Sequence, residues 1–226
     1  MAEADRRRWD ARYREHEPGL RRPSGSLVAL PDLLPQGARA LDVAGGAGRH
    51  ALWLARRGLD VTLADISGVA LELVRREAAR AGLPLRTLAI DLEAEPLPPG
   101  HLSVILCVDF LWRPLFEAIP AALAPGGLLV VVHPTRSNLQ RHARPGPRHL
   151  LEDGELPGLV RGLEIVRYEE GWTEQGRHEA RLVARSRSAT RRVERWPGPL
   201  PGLLGVALTA LVTAHGVGAW TNRPRI

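Results

Sequence analysis

The stretch ALDVAGGAGRHALWLARRG, residues 40–58, contains four glycines, three of which lie between a short apolar run and a helical pattern. The run at 40–43 is typical of a buried strand, and Ala51, Leu54 and Ala55 recur at the spacing of one helix face. Glycines in the turn between them lack a Cβ, so a ligand can lie directly against the backbone. The first N–H groups of the following helix have no partner within that helix, and they attract carboxylates and phosphates. The stretch therefore predicts a strand, a ligand-binding turn and a helix.

Further apolar runs of strand length follow this turn, separated in most cases by helical patterns. These runs lie at residues 59–65, 83–91, 102–108 and 128–134. Ser67 can cap the helix that Gly82 ends. Two more strand-like runs, 163–172 and 177–186, are separated only by turn residues, which indicates a hairpin. The pattern predicts an α/β fold with a doubly wound, mainly parallel seven-stranded sheet that ends in an antiparallel hairpin.

Two helical segments precede the first strand. Trp9 and Tyr13 stand four residues apart amid charges, which suggests a mostly exposed helix with one aromatic edge. The segment GSLVALPDLLP, residues 25–35, is typical of a short apolar helix broken around its prolines. Together they predict an N-terminal helical cap.

Length and composition limit the classes of protein. The 226 residues suffice for one large domain, or for one domain and an appendage. All basic residues are arginine, and residues 188–226, with five arginines against one glutamate, carry +4 of the net +6. The main body is therefore nearly balanced in charge. With two Tyr and two Phe in the chain, and most arginines on helical patterns, no nucleic-acid partner is expected.

Cys107 is the single cysteine, which excludes an intrachain disulfide and a thiolate-rich metal site, and we expect no metal. The opening stretch MAEADRRRWDARYREHE is charged throughout and lacks the apolar core of a signal peptide. We therefore expect a cytoplasmic protein, either a monomer or a homodimer.

Acidic residues mark the ends of three predicted strands. Asp42 lies near the end of the first strand, Asp65 ends the second, and Asp91 ends the third. The spacing of Asp65 from the glycine turn, about twenty residues, is that at which a carboxylate reaches the two hydroxyls of an adenosine ribose. This arrangement fits NAD as well as S-adenosylmethionine, because residues 46–51 also satisfy the G-x-G-x-x-A pattern of dinucleotide sites.

Four features favour S-adenosylmethionine. Asp42 precedes the glycines. A carboxylate at this position can bind the methionine ammonium of S-adenosylmethionine, whereas it has no obvious role in a dinucleotide site. Two helical segments precede the first strand. Asp91 can accept from the adenine amino group, with Leu92 packed on the ring. The APGG turn at 124–127, which is expected to stop the helix before the fifth strand, and the terminal hairpin are not explained by a dinucleotide site. An NAD(P)-dependent oxidoreductase remains the alternative.

An ordered set of motifs extends this pattern over residues 6–187. They are RWDARYRE, ALDVAGGAGRHALWLARRGLDVTLADIS, DLEAEPLP, APGGLLVVVHP, LLEDGELPGL and YEEGWTEQGRHEARLVARS. The set resembles class I S-adenosylmethionine-dependent methyltransferases, and most of all the small bacterial branch related to tellurite-resistance and thiopurine methyltransferases. The first glycine of the family's motif is Ala44 here, and the acid often found on the fourth strand is Ser103.

The resemblance implies a Rossmann-like methyltransferase that transfers a methyl group from S-adenosylmethionine to a small-molecule acceptor, a thiol or a chalcogen or metalloid species. It also implies a cofactor site along the strand ends, covered by the N-terminal helix. The methionine moiety would lie on Asp42, Ala44, Gly45, Gly46 and Gly48, the ribose on Asp65 and Ile66, the adenine on Asp91 and Leu92, and the methyl group over Cys107 and Val108, with Trp9 and Tyr13 as the cover.

Two polar residues at predicted strand ends are catalytic candidates. A sulfonium needs no metal to transfer its methyl group, and a thiol acceptor, with a pKa near about 8.5, needs little help. For a hydroxyl or amine acceptor, Asp109 and His133 are the candidate bases, although polar residues at strand ends often only bind loop backbone. A non-catalytic cofactor-binding protein is a further alternative. No transferable motif encodes the acceptor.

Residues 188–226 lie outside the resemblance. We therefore assign residues 1–187 to the methyltransferase domain and 188–226 to an apolar extension flanked by Arg, Pro and Gly. The extension holds about nineteen uncharged residues, the length of a membrane span, but Pro201, several glycines and His215 lower its hydrophobicity. A span, an interfacial or packed helix and a poorly ordered segment are the alternatives. Removal of residues 190–226 is expected to leave cofactor binding intact.

Overall fold

A single seven-stranded sheet forms the framework of the described residues. The computed structural model describes residues 2–15, 23–28, 34 and 37–187. The strands are β1 (Arg39–Val43), β2 (Asp60–Asp65), β3 (Leu85–Ala89), β4 (Leu102–Val108), β5 (Leu123–Pro134), β6 (Leu163–Trp172) and β7 (His178–Ser186). Their order is β3-β2-β1-β4-β5-β7-β6. The first five strands pair in parallel, whereas β7 pairs antiparallel with both β5 and β6. The predicted fold class and the terminal hairpin are confirmed.

The strand order reverses at β1, which pairs with β2 on one side and with β4 on the other. At such a reversal the connections leave on opposite faces of the sheet, so a crevice opens beyond the carboxyl ends of the two strands. The glycine turn that follows β1 lies at this crevice. The topology therefore brings together residues that are far apart in the sequence.

Helices cover both faces of the sheet. They are α1 (Ala2–Arg14), α2 (Gly25–Val28), α3 (Arg49–Ala55), α4 (Gly68–Arg80), α5 (Leu115–Ala122) and α6 (Leu156–Leu159). Leu54 and Val74 belong to the core on one face, and Phe116 and Ile119 belong to the core on the other. Burial of such large apolar side chains, at about 1.5–3 kcal/mol each, is the main force that holds the layers together.

The helix boundaries follow the signals that the sequence contains. The Ser67 hydroxyl accepts a hydrogen bond from the N–H of Ala70 at 3.1 Å, as predicted for the residue that caps α4. Gly82, with φ of 62°, lies just beyond the end of α4 at Ala81. Strand β4 spans the predicted residues 102–108 without a shift.

One boundary differs from the prediction. The APGG segment was expected to form a turn after α5, but β5 begins at Leu123 and includes the segment. A Cβ on Gly127 would lie 2.8 Å from the Leu102 carbonyl oxygen and 2.9 Å from that of Ala124. The β4–β5 register also shifts between Leu102 and Val104. Glycine therefore lets the backbone enter the sheet at a crowded point, rather than turn away from it.

In the described part of the chain, no helix is long and apolar enough to cross a membrane. Residues 188–226, for which a membrane span, an interfacial or packed helix and a poorly ordered segment were the alternatives, lie outside the described residues. The same holds for most of the predicted apolar helix at 25–35, of which four residues form α2.

Candidate functional site

A cavity of about 660 Å³ opens at the crevice beyond β1 and β4. Its walls come from α1, the glycine turn, the ends of β2, β3 and β4, and the turn between β6 and β7. Twelve predicted site residues line this cavity: Trp9, Tyr13, Ala44, Gly45, Gly46, Gly48, Asp65, Ile66, Asp91, Leu92, Val108 and Asp109. Three others, Asp42, Cys107 and His133, are not among the lining residues.

The turn after β1 needs glycine for two separate reasons. Gly46 and Gly48 have φ of 56° and 81°, a left-handed conformation that side chains rarely adopt. In addition, a Cβ on Gly46 would collide with the Tyr13 hydroxyl, and a Cβ on Gly48 would collide with Val74. Ala44 is also left-handed, with φ of 50°. The turn therefore presents bare backbone to the cavity and to α1.

Asp65 holds the turn in place while it lines the cavity. One carboxylate oxygen accepts from the N–H of Gly46 at 2.8 Å, and the other accepts from the N–H of Ser67 at 2.8 Å. The side chain is buried, and this burial raises the pKa of Asp65 above its ordinary value against the hydrogen bonds from Ser67 and Gly46. Asp65 therefore ties the end of β2 to the glycine turn.

Asp42 lies beneath the turn rather than in the cavity wall. Its Oδ2 accepts from the N–H of Ala51 in the first turn of α3 at 3.1 Å. Burial raises the pKa of Asp42 to about 7, and the charge of Asp65 adds to this effect. A Cβ on Gly45 would lie 2.7 Å from Asp42 Oδ2. Asp42 thus supports the turn and α3, and its predicted contact with the methionine moiety stays a prediction.

At the end of β3, an acid and an apolar side chain line the cavity together. Asp91 Oδ1 accepts from the N–H of Glu93 at 3.0 Å, which fixes the local turn. Leu92 is buried, and Ile66 and Ile90 also line the cavity. This corner combines a carboxylate with apolar side chains, which suits an adenine ring, and the individual roles of Asp91 and Leu92 stay predictions.

Asp109 stands at the other end of the cavity between two arginines. It receives hydrogen bonds from Arg49 at 3.0 Å and from Arg177 at 2.5 Å. Its φ of 60° is unusual for a residue with a side chain and is typical of functional sites. Burial acts to raise the pKa of Asp109, but the hydrogen bond from Arg177 and the charges of both arginines hold it below its ordinary value. Asp109 is therefore a carboxylate at neutral pH.

Several residues of this wall were not predicted from the sequence. Arg177 lies in the turn of the terminal hairpin, and nothing in its local sequence marks it among so many arginines. His50 also lines the cavity, and its Nε2 accepts from the N–H of Ser24 at 3.3 Å. Burial lowers the pKa of His50 to about 3, so this ring is neutral. Phe110 and Trp112 complete the wall after β4.

His133 and Cys107 occupy positions behind the wall. His133 is buried, and its Nε2 donates to the carbonyl oxygen of His149 at 2.9 Å, so Nε2 carries the proton. Its Nδ1 has no hydrogen-bond partner among the described residues. Burial lowers the pKa of His133, which keeps the ring neutral. The predicted role of His133 as a base stays a prediction.

Cys107 is fully buried, and its thiol donates to the carbonyl oxygen of Phe110 at 3.3 Å. Burial raises the pKa of the thiol to about 12, so it is not a nucleophile at neutral pH. Its neighbour Val108 lines the cavity instead. Successive residues of a strand point to opposite faces, which explains why one of the pair reaches the cavity and the other lies in the core.

Helix α1 covers the cavity with an aromatic edge. Trp9 and Tyr13 lie with ring centroids 6.1 Å apart, and the Arg12 guanidinium lies 5.2 Å from the Trp9 ring centroid. Both aromatic residues line the cavity, as the resemblance implies. Helix α1 therefore forms part of the cavity wall, and the predicted role of Trp9 and Tyr13 as a cover over the cofactor stays a prediction.

A separate cluster could hold a cation. Asp153, Glu170 and His178 bring three metal-ligating atoms within 4.8 Å of one another. Backbone N–H groups of Ser137 and Gly154 already donate to the two carboxylates. None of the three residues lines the cavity, and the cluster joins the loop before α6 to the terminal hairpin.

Comparison with known proteins agrees with this geometry. Residues 40–127 match the Methyltransferase domain family. A demethylmenaquinone methyltransferase of Thermus thermophilus is 37% identical over 102 residues, which covers 42% of this chain and 46% of that protein. The chain thus spans about half the length of the curated relatives it matches.

Two solved structures show the same fold. TehB from Haemophilus influenzae aligns with a TM-score of 0.63 at 20% identity over 73% of this chain and 63% of that one. A TehB-like S-adenosylmethionine-dependent methyltransferase from Corynebacterium glutamicum aligns with a TM-score of 0.58 at 19% identity over 82% and 98%. The predicted resemblance and the Rossmann-like fold are confirmed, and the comparisons agree with a methyltransferase that uses S-adenosylmethionine.

Proposed function

We propose that this chain transfers a methyl group from S-adenosylmethionine to a small-molecule acceptor. The observation that carries the proposal is the joint position of the glycine turn, Asp65 and Asp91 around one cavity that α1 covers. The match of residues 40–127 to the Methyltransferase domain family supports it independently. The glycine turn, the strand ends and α1 would all contact the same bound cofactor, because they line the same cavity.

The residues of the wall fit the parts of the cofactor. Ribose hydroxyls would bind the Asp65 carboxylate, and the adenine ring would lie between Ile66 and Leu92 near Asp91. The three glycines in residues 44–48 would leave room for the methionine moiety, and a Cβ at Gly46 would collide with the Tyr13 hydroxyl. When bound, S-adenosylmethionine supplies a methyl group on a sulfonium, which is already a strong electrophile.

The protein's own contribution is alignment and exclusion of water. Val108, Phe110 and Trp112 form an apolar wall next to Asp109, and Trp9 on α1 covers the opening. Holding two reactants in line in such a pocket lowers the barrier by up to roughly 7–11 kcal/mol. No side chain of the wall needs to form a covalent bond.

The arginines around Asp109 favour an acceptor that reacts as an anion. Arg49 and Arg177 share the Asp109 carboxylate, and Arg177 also lies 3.8 Å from the buried Glu179 carboxylate, so two guanidinium groups are held at this end of the cavity. A nearby guanidinium group stabilises a thiolate or a chalcogen anion relative to its protonated form. With its pKa held low, Asp109 is a poor proton acceptor, and it serves to position the two guanidinium groups. We therefore propose a thiol or a chalcogen or metalloid species as the acceptor.

Calorimetry with S-adenosylhomocysteine tests the cofactor site. The unmodified chain should bind it, and Asp65→Asn should weaken binding by at least about tenfold, because a buried charged hydrogen-bond acceptor of the ribose is lost. Asp60→Asn is the matched control on the same strand, since Asp60 pairs with Arg86 at the far end of β2. Circular dichroism of each variant checks that it is folded.

Three results would contradict the proposal. Equal affinity of the Asp65 and Asp60 variants would reject the ribose assignment. Binding of NADH without binding of S-adenosylhomocysteine would favour the oxidoreductase alternative. Tight cofactor binding without methyl transfer to any of a panel of thiols, selenite, tellurite and small phenols would favour a non-catalytic binding protein.

A further inference from the structure

Helix α1 is joined to the start of α4 through one carboxylate. Asp10 Oδ1 accepts from the Ser67 hydroxyl at 2.6 Å and from the Val69 N–H at 3.2 Å. Val69 lies in the first turn of α4, a helix of 13 residues. A carboxylate at a helix N-terminus is stabilised both by the free N–H groups and by the helix dipole. These two hydrogen bonds therefore fix α1 at one defined position on α4, which we call the docking point.

Ser67 connects this docking point to the ribose carboxylate. Its hydroxyl donates to Asp10, while its N–H donates to Asp65 Oδ1 at 2.8 Å. The Ser67 side chain is fully buried, so water does not compete for these groups. One residue thus holds the acid of α1 and the acid of β2 at the same time.

Helix α1 also contacts the second residue that holds Asp65. Gly46 donates its N–H to Asp65 Oδ2 at 2.8 Å, and the Tyr13 hydroxyl lies against Gly46 where a Cβ would be. The Asp65 carboxylate is therefore held by the N–H groups of Gly46 and Ser67. Helix α1 contacts both of these residues, Gly46 through Tyr13 and Ser67 through Asp10. A movement of α1 changes the surroundings of both N–H groups that orient Asp65.

We propose that Asp10 is a positioning residue that couples the docking of α1 to the occupancy of the ribose site, through Ser67 and Asp65. The inference rests on the proposed function, because it takes Asp65 as the ribose ligand. Since α1 covers the cavity, the cofactor product leaves when α1 undocks. Asp10 therefore sets how long the nucleoside remains bound, and it acts without touching the nucleoside itself.

Asp10→Ala tests the docking point, with Glu3→Ala as the matched control. Glu3 is an exposed acid on the same helix, and its ion pairs among the described residues lie within α1, with Arg6 and Arg7. Stopped-flow measurement with S-adenosylhomocysteine should show dissociation about tenfold faster for Asp10→Ala and unchanged for Glu3→Ala. Hydrogen exchange in residues 2–15 should slow on cofactor binding in the unmodified chain and in Glu3→Ala, and not in Asp10→Ala.

A double substitution tests whether the coupling runs through Asp65. The effects of Asp10→Ala and Asp65→Asn on affinity should be non-additive, whereas additive effects would overturn the coupling. Asp10→Asn, which keeps an accepting oxygen, should restore most of the residence time. If Asp10→Ala matches Glu3→Ala in both measurements, the inference is wrong. Failure of the unmodified chain to bind S-adenosylhomocysteine would instead overturn the proposed function.

Discussion

At the scale of single residues, Asp42 shows how burial changes the role of a side chain. The sequence places an acid before the glycines, and the structure buries it beneath them with one hydrogen bond to the N–H of Ala51. Removal from water disfavours the charged form, which raises the pKa of Asp42 to about 7. The residue therefore titrates near neutral pH in the folded chain, and near its ordinary value in the unfolded chain.

This difference predicts a pH dependence of stability. Between pH 4 and 7 the folded chain keeps a proton on Asp42 that the unfolded chain releases, so the contribution of Asp42 to stability falls as the pH rises. Asp42→Asn removes this titration. Urea unfolding should show that the free energy of unfolding of the variant, relative to the unmodified chain, increases by about 2 kcal/mol between pH 5 and 7.5. The same difference at both pH values would mean that Asp42 is ionised in the folded chain.

Ala44 is a second residue whose conformation the structure decides. The family that the sequence resembles has glycine at this position, and the φ of 50° at Ala44 accounts for that preference. The turn therefore has the same backbone path with alanine in place of glycine. The left-handed conformation of Ala44 costs about 1–2 kcal/mol.

At the scale of elements, the entry of β5 into the sheet depends on one glycine. A Cβ on Gly127 would collide with the backbone carbonyl oxygens of Leu102 and Ala124, at the point where the β4–β5 register shifts. Because backbone atoms on both strands are fixed by sheet hydrogen bonds, they cannot yield to a new side chain. From the sequence, the two glycines are predicted only to end the preceding helix. The pairing of β4 with β5 shows that Gly127 is also needed because a side chain there would collide with the backbone.

Gly127→Ala should therefore lower the free energy of unfolding by about 2 kcal/mol or more. Gly146→Ala is the matched control, because a Cβ at Gly146 would meet nothing within 4 Å and its φ of −68° suits alanine. Chemical denaturation of both variants, followed by circular dichroism, measures the difference. Equal stability would show that the β5 entry can shift to accommodate a methyl group.

At the scale of the whole molecule, the proposed acceptor end of the cavity is assembled from three distant parts of the chain. Arg49 begins α3, Asp109 follows β4, and Arg177 lies in the turn before β7. Arg177 follows Arg49 by 128 positions in the sequence. The sheet order brings them together, since β4 lies beside β1 and β7 lies beside β5. The position of these two guanidinium groups is thus a property of the fold.

Arg177→Gln should raise the KM for an anionic acceptor by about tenfold and leave the affinity for S-adenosylhomocysteine unchanged. Arg167→Gln, on the exposed side of the same hairpin, is the control and should change neither quantity. Steady-state kinetics with a thiol acceptor, together with calorimetry, separates the two effects. A parallel loss of cofactor affinity would assign Arg177 to the cofactor site.

Much of the fold and half of the site could be predicted from local sequence. Strand β4, the Ser67 cap and the terminal hairpin follow from periodicity and from turn residues close in sequence. The glycine turn with Asp65 was predictable because both follow adjacent parallel strands, whose carboxyl ends meet at one edge. The individual contacts of Asp42, Cys107 and His133 were not, because burial and strand alternation depend on what packs behind each strand.

By itself the sequence determined the α/β architecture, the glycine turn and the acids at the strand ends, since these depend on short-range periodicity and backbone conformation. Only the tertiary structure decided that Arg49 and Arg177 share Asp109, and that Asp10 reaches Ser67 across 57 positions. The physical reason is that hydrogen bonds and charges act over a few ångströms in space, and the distance along the chain does not reveal which groups the sheet order will bring that close.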